Sequence, residues 1–340
     1  MLKYTLPPMR PEKVVCPNSA CDASGRIGVH SHQERRYICH GCKRTFADSS
    51  GTMLYRLKQP LELVLLVLTL LAYGCPIGAL VAAFGLDERT IASWQLKAGQ
   101  HAKQVQTQVV CKGNIDLGQV QADELYTKTQ AGPVWVATAM TVFSRLWLWG
   151  AIGWNRDEAL IRPVIEHSRA AARPGQPILI AVDGFKAYVS CILKVFRDPL
   201  HTGKPGRPRL LVWEDLHIVQ VVKQRFGRRL VSITRRLAYG CMRRAEEVMQ
   251  QTQLDLGRIN TAYIERLNAT LRTWIPALVR RTRTPSGARD RLEAALFWTG
   301  CVYNFCHVHA TLGGTPAMAA ELTDHVWSID ELIRYRCHRK

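Results

Sequence analysis

Acidic side chains are scarce in this sequence. Only 27 Asp and Glu stand against 46 Lys and Arg, giving a formal net charge of +19 over 340 residues. That deficit argues against a basic partner and favours a polyanion, either nucleic acid or an anionic membrane. Long hydrophobic runs are also missing. The longest, Leu63 to Ala72, has Glu62 at its edge and falls short of the ~20 residues a membrane span needs. The first residues lack an apolar core followed by a small-residue cleavage site, so no secretory signal is expected. Nor is there a disulfide framework. The eleven cysteines are odd in number, and Cys75, Cys111, Cys191 and Cys241 stand singly among apolar residues. Such thiols suit a reducing cytoplasm. What is present is 47% hydrophobic residues, enough for a globular core and for two or three domains.

Four cysteines do group. Cys16 and Cys21 form a Cys-x4-Cys pair, and Cys39 and Cys42 a Cys-x2-Cys pair. Two close pairs on tight turns can set four thiolates tetrahedrally on one Zn²⁺. Gly41 is the expected turn residue. His30, His32 and His40 are alternative ligands, but four thiolates already close the site, so the zinc is expected to be structural. Residues 1–55 therefore read as a zinc ribbon. Next, Pro60 opens a nearly all-apolar helix from Leu61 to Ala72. A short helix over Ile77–Phe84 and a turn at Gly85-Leu86 follow. Asp87 caps a longer helix from Arg89 to about Val105. Residues 56–108 read as a helix-turn-helix whose second helix enters a DNA major groove. Thr90, Ser93, Trp94, Gln95 and Lys97 are its expected groove-facing residues.

From residue 109 onward the pattern becomes strand-rich. Gln119–Thr127 alternates as a strand with Asp123 inside it, and Val134–Met140 and Leu146–Trp154 are two further strands. Asp157–Ala171 reads as helix. Ile178–Val182 is a continuous apolar run, the mark of a strand covered on both faces. It ends at Asp183-Gly184, where an open α/β sheet places its ligands. Asn260–Arg272 has helical spacing, with Ile264, Leu267 and Leu271 on one stripe and Glu265 and Asn268 on another. Asp123, Asp183 and Glu265 are then three hard oxygen donors on rigid elements. They suit two Mg²⁺ (or Mn²⁺) ions that activate an attacking hydroxyl and stabilise a leaving oxygen in phosphoryl transfer.

With those residues in hand the chain resembles bacterial insertion-sequence transposases of the DDE type, in the group typified by insertion sequence one. The resemblance covers nearly the whole chain. It rests on the cysteine pairs, Ala122-Asp123-Glu124, Val182-Asp183-Gly184, the block from Asn260 to Arg272, and the tail. The tail contributes Tyr303-Asn304-Phe305, His309 and the run Thr315 to Ala320. It implies an α/β multidomain protein: a zinc ribbon, a helix-turn-helix, and a ribonuclease H-like catalytic domain over 109–320 with a mixed central sheet. Residues 321–340 are left as a C-terminal tail. It implies catalysis by Asp123, Asp183 and Glu265, with Asn260, Arg266, Asn268 and Arg272 flanking the last acid. The expected partners are double-stranded transposon ends and target DNA, bound by a homodimer or higher oligomer on the bacterial nucleoid, with no membrane involved. One departure stands out: 81 residues separate Asp183 from Glu265. Either something basic is inserted near 198–255, or Glu246 or Glu247 is the third acid.

Within that insert, Gly206-Arg207-Pro208, flanked by Lys204 and Arg209, reads either as an AT-hook for a narrow minor groove or as a plain basic loop. Two strands, Leu216–Gln224 and Arg229–Thr234, are expected to form a hairpin with Lys223, Arg225, Arg228 and Arg229 around its turn. Arg280, Arg281, Arg283, Arg289 and Arg291 form the densest basic cluster and are expected to clamp phosphates. Leu292–Asn304 reads as a helix, and His307 and His309 as structural. Two other functions remain open: a catalytically silent DNA-binding regulator and a ribonuclease H-like nuclease that only hydrolyses.

Overall fold

The computed structural model describes residues 8–18, 20–21, 26–200, 203, 206–227, 229–252 and 257–337. Lys204 and Arg228 lie outside the described residues. The chain is mixed α/β, with a six-stranded mixed sheet and ten α-helices among the described residues. No described helix is long and apolar enough to cross a membrane.

The first unit is a three-stranded antiparallel sheet of β1 (Ile27–Ser31), β2 (Arg36–Cys39) and β3 (Thr45–Ala47). Its core is small: Val14, Cys16, Tyr37, Cys39 and Phe46. Then come α1 (Leu61–Ala72), α2 (Ile77–Phe84) and α3 (Glu88–Val109). The Asp87 carboxylate accepts from the Arg89 N–H and caps α3, as the sequence suggests.

The large sheet contains β4 (Gln119–Thr129), β5 (Gly132–Thr141) and β6 (Trp147–Gly153), with β5 antiparallel to both β4 and β6. Helix α4 (Glu158–Ala171) crosses back to β7 (Ile178–Val182), which pairs in parallel with β4. After α5 (Lys186–Val195) comes a separate hairpin of β8 (Arg197–Leu200) and β9 (Arg209–Val212). Strand β10 (Leu216–Phe226) pairs in parallel with β7 and antiparallel with β11 (Arg229–Tyr239). The order across the sheet is β11-β10-β7-β4-β5-β6. The remaining helices are α6 (Met242–Thr252), α7 (Ala262–Trp274), α8 (Arg289–Cys301), α9 (Pro316–Ala319) and α10 (Ile329–Arg334). The helix expected over 292–304 becomes α8, which starts at Arg289 and gives way to a π turn at Val302–Cys306.

The 56–108 and 321–340 stretches are not separate bodies. One apolar core runs from Met53 through the sheet to Cys337. Helix α3 lies so close to α8 that a Cβ on Gly99 would collide with the Ala294 backbone. The Met53 N–H bonds the Ile333 carbonyl, the Cys337 N–H bonds the Gly51 carbonyl, and Arg336 pairs with Asp48 at 2.7 Å. Residues 329–337 thus bond both α3, through His101 and the Leu332 carbonyl, and the segment after the first unit.

Lengths within the sheet create the site. Strand β7 stops at Val182, opposite Gln220 of β10, and its ladder with β4 reaches Gln121–Ala181. Its neighbours run on, β4 to Thr129 and β10 to Phe226. At ~3.3 Å per residue the six residues of β10 beyond Gln220 project ~20 Å. A short central strand between two long ones leaves a notch, and Asp183 lies at its floor.

Candidate functional site

Alternation along β4 decides what the notch contains. Gln121 and Asp123 face one side of the sheet, together with α7. Glu124, the next residue, faces the other. Gln121 is fully buried and ties down the start of α7: its Oε1 accepts from the Ile264 N–H at 2.9 Å and its Nε2 donates to the Asn260 carbonyl at 2.7 Å. Asn260 Oδ1 accepts from the Ala262 N–H, so the helix begins two residues later than its sequence pattern suggests. One turn on, buried Asn268 bridges two strands. Its Nδ2 donates to Asp123 Oδ2 at 2.9 Å, and its Oδ1 accepts from Thr138 Oγ1 at 3.0 Å.

Asp183 stands beside Asp123. One oxygen of each of Asp123, Glu124 and Asp183 lies within 4.8 Å of the others. Burial pushes the Asp123 carboxyl up, and the nearby charges of Asp183 and Glu265 add to this. Burial also pushes Glu124 up, while Arg156 opposes the rise. Half-buried acids this close repel one another, and hard divalent cations are partners that oxygen donors at this spacing suit. Two of the three expected acids, Asp123 and Asp183, are therefore brought together. Glu265 lies outside that group of three, in the first turn of α7. It is half-exposed, accepts from Thr261 Oγ1 at 2.8 Å and pairs with Lys223 on the β10 wall. Its charge still reaches Asp123. Of the rivals, Glu246 is exposed. Glu247 is engaged by Arg243 and Arg244, and Arg244 also reaches Asp215, at the start of β10. That is the opposite end of the sheet from Asp183.

Sequence reasoning missed Arg156 and the role of Glu124. The Arg156 guanidinium donates to Glu124 Oε2 at 2.7 Å and to Asp183 Oδ2 at 2.6 Å. No periodic or motif signal marks an arginine in the loop between β6 and α4, and only the fold brings it to β7.

Cys16, Cys21, Cys39 and Cys42 converge as their spacing suggests. The Cys16–Cys42 and Cys21–Cys39 sulfurs are 3.6 and 3.9 Å apart. Zn–S bonds of ~2.3 Å in a tetrahedron put sulfurs ~3.8 Å apart, whereas a disulfide needs ~2.05 Å. The set could hold zinc. The Arg44 N–H directed at Cys42 pulls its thiol down to about 6. The left-handed turn falls on Lys43, at φ 59°, and not on Gly41.

The groove-facing set needs correction. Trp94 is 5% exposed and belongs to the core. Lys97 is half-buried and donates to the Tyr55 carbonyl. Thr90, Ser93 and Gln95 keep some exposure. The reason is that α3 packs on α1, α8 and α10 together, leaving only a narrow outer stripe. Arg207, Arg209, Arg266, Arg280, Arg281 and Arg283 are exposed, but Arg272 is half-buried, with its Nε buried and unpaired. The Arg280–Arg283 loop is held near the far end of β4, where Thr127 Oγ1 donates to the Ala277 carbonyl and the Gln130 N–H to the Ser286 carbonyl. His307 lies among Tyr73, Trp274 and Tyr303, a packing role as expected. No protein-family model matches the chain, and no curated protein is significantly similar to it.

Proposed function

We propose that this protein is a metal-dependent DNA transposase of the DDE type. It would bind the ends of its own insertion sequence, cut them and join the 3′ ends to target DNA. The observation that carries this reading is the placement of Asp123 and Asp183 side by side at the floor of a notch. The Glu265 helix is fastened to the same strand through Gln121 and Asn268. The six-stranded mixed sheet is compatible with this reading, and the long gap before Glu265 includes α5, two hairpins and α6.

In this reading Asp123, Asp183 and Glu265 hold Mg²⁺ or Mn²⁺, which when bound supplies a polarised nucleophile and charge stabilisation for phosphoryl transfer. The chain itself orients Asp123 through Asn268, and Lys223 keeps Glu265 at the notch wall. The β10–β11 arm and the Arg280–Arg283 loop flank the notch with positive charge for phosphates. The four-cysteine unit is read as a zinc ribbon and α2–α3 as a helix-turn-helix with Thr90, Ser93 and Gln95 outermost. The partners are transposon-end and target duplexes held by a dimer or higher oligomer, in the bacterial cytoplasm.

The test is strand joining. Purified protein, Mg²⁺ and a duplex carrying the inverted repeats that flank its gene should yield 3′ ends covalently linked to a plasmid target. Cleavage without joining supports the hydrolysing nuclease instead. Binding without either supports a silent regulator.

A further inference from the structure

Arg156 is built into its place. Its guanidinium lies 4.4 Å from the Phe185 ring centroid and 5.5 Å from that of Trp135. It donates to acids on two strands, Glu124 of β4 through both Nε and Nη2, and Asp183 just past β7. Glu124 is 1% exposed at its side chain and reaches the opposite sheet face from Asp123. Its second oxygen, Oε1, is buried and turned toward the buried Tyr188 hydroxyl. A buried acid is costly unless its bonds compensate, and the strongest bonds Glu124 makes, both accepted at its Oε2, hold Arg156.

Asp183 gains from this. Its Oδ2 is fixed by Arg156 and its Oδ1 by the Phe185 N–H at 2.9 Å. Each carboxylate oxygen accepts two bonds, so each keeps acceptor capacity for a cation, and an Asp183 oxygen lies within 4.8 Å of one of Asp123. On the metal-dependent reading above, we propose that Glu124 and Arg156 are positioning residues. Together they clamp Asp183 from behind the sheet in the orientation that shares a divalent cation with Asp123.

Outer-shell partners of this kind change metal affinity by about 10–100-fold when removed. The measurement is Mn²⁺ affinity of the full-length, zinc-loaded protein, by calorimetry and by the spin-resonance signal of free Mn²⁺. Glu124→Gln and Arg156→Gln should each weaken Mn²⁺ binding about 10-fold or more. The double variant should be no weaker than the worse single one, because both act through one carboxylate. Arg156→Lys should recover part of the loss, since it keeps the charge but not the fork. Near-ultraviolet circular dichroism should be unchanged: Glu124→Gln is isosteric, and Arg156 is 33% exposed. Unchanged or tighter Mn²⁺ binding in Arg156→Gln would overturn the proposal, because Arg156 would then only compete with the metal. So would an effect of Glu124→Gln that Arg156→Gln does not share. A wild-type protein that binds no Mn²⁺ contradicts the metal-dependent reading itself. Wild-type binding with unaffected variants overturns the clamp alone.

Discussion

Burial acts on Asp123 more strongly than any single neighbour, and it acts against the charged form. The sign of the pH effect follows. A carboxyl whose folded pKa is raised contributes its full stability below the ordinary aspartate range. That contribution is lost as pH rises through the raised value. Glu124 has the same sign. The metal-free protein should therefore lose stability as pH climbs from about 4 toward neutrality, and a divalent cation should restore it. Asp123→Asn removes the penalty. At pH 7 without metal its melting temperature should rise by roughly 1–3 °C, and Mn²⁺ should no longer raise it. Thermal unfolding of both proteins at pH 5 and pH 7, with and without Mn²⁺, checks this. A variant that melts lower than wild type and still responds to Mn²⁺ contradicts it.

Helix α7 is stable because β4 holds it. Buried Gln121 satisfies a first-turn N–H and the carbonyl before the helix. Gln121→Leu leaves both unpaired in the interior and should cost about 2–4 kcal/mol in urea unfolding. It should also free Asn268 and Glu265, so DNA cleavage falls more than DNA binding. A stability loss under about 0.5 kcal/mol would mean that α7 is held by apolar packing alone. On the zinc-ribbon reading, a metal bound by the four cysteines would stand in for a core of only a few side chains. Cys39→Ser should lose the one bound zinc and unfold that sheet, read by zinc content and protease sensitivity. Full zinc content in the variant would rule the site out.

Much of this is legible in the sequence. The strands alternate or run apolar, Ile178–Val182 ends on its acid, and the cysteine spacing implies its own geometry. Helix α3 shows what is not legible. Periodicity reveals that Arg89–Val105 is helix, but not that Trp94 joins the core or that Lys97 turns in to the Tyr55 carbonyl, because both follow from how α3 packs on elements distant in the chain. Likewise nothing local to Arg156 announces that β7 ends beside it.

Across the whole molecule the net charge is +19, and several of its basic residues flank the notch. Arg280, Arg281 and Arg283 stand beyond β4, and the β10–β11 arm carries Lys223, Arg229 and Phe226, which is 83% exposed at its tip. Phosphate contacts from both walls predict affinity that falls steeply with salt. Replacing Arg280, Arg281 and Arg283 with Ala should lower the slope of log affinity against log salt by about 2–3 and weaken unrelated duplexes to the same degree. An unchanged slope would place the DNA elsewhere. On the proposed reading the acids should behave in the opposite way, serving chemistry and repelling phosphate. The most direct test of the account compares Asp123→Asn and Asp183→Asn with wild type on one duplex from the ends of the element, measuring binding and Mg²⁺-dependent cutting and joining in the same samples. The account predicts that each variant binds at least as tightly as wild type and loses cutting and joining by about 10³-fold or more, at roughly 1.4 kcal/mol per tenfold. Cutting by either variant at the wild-type rate would contradict it.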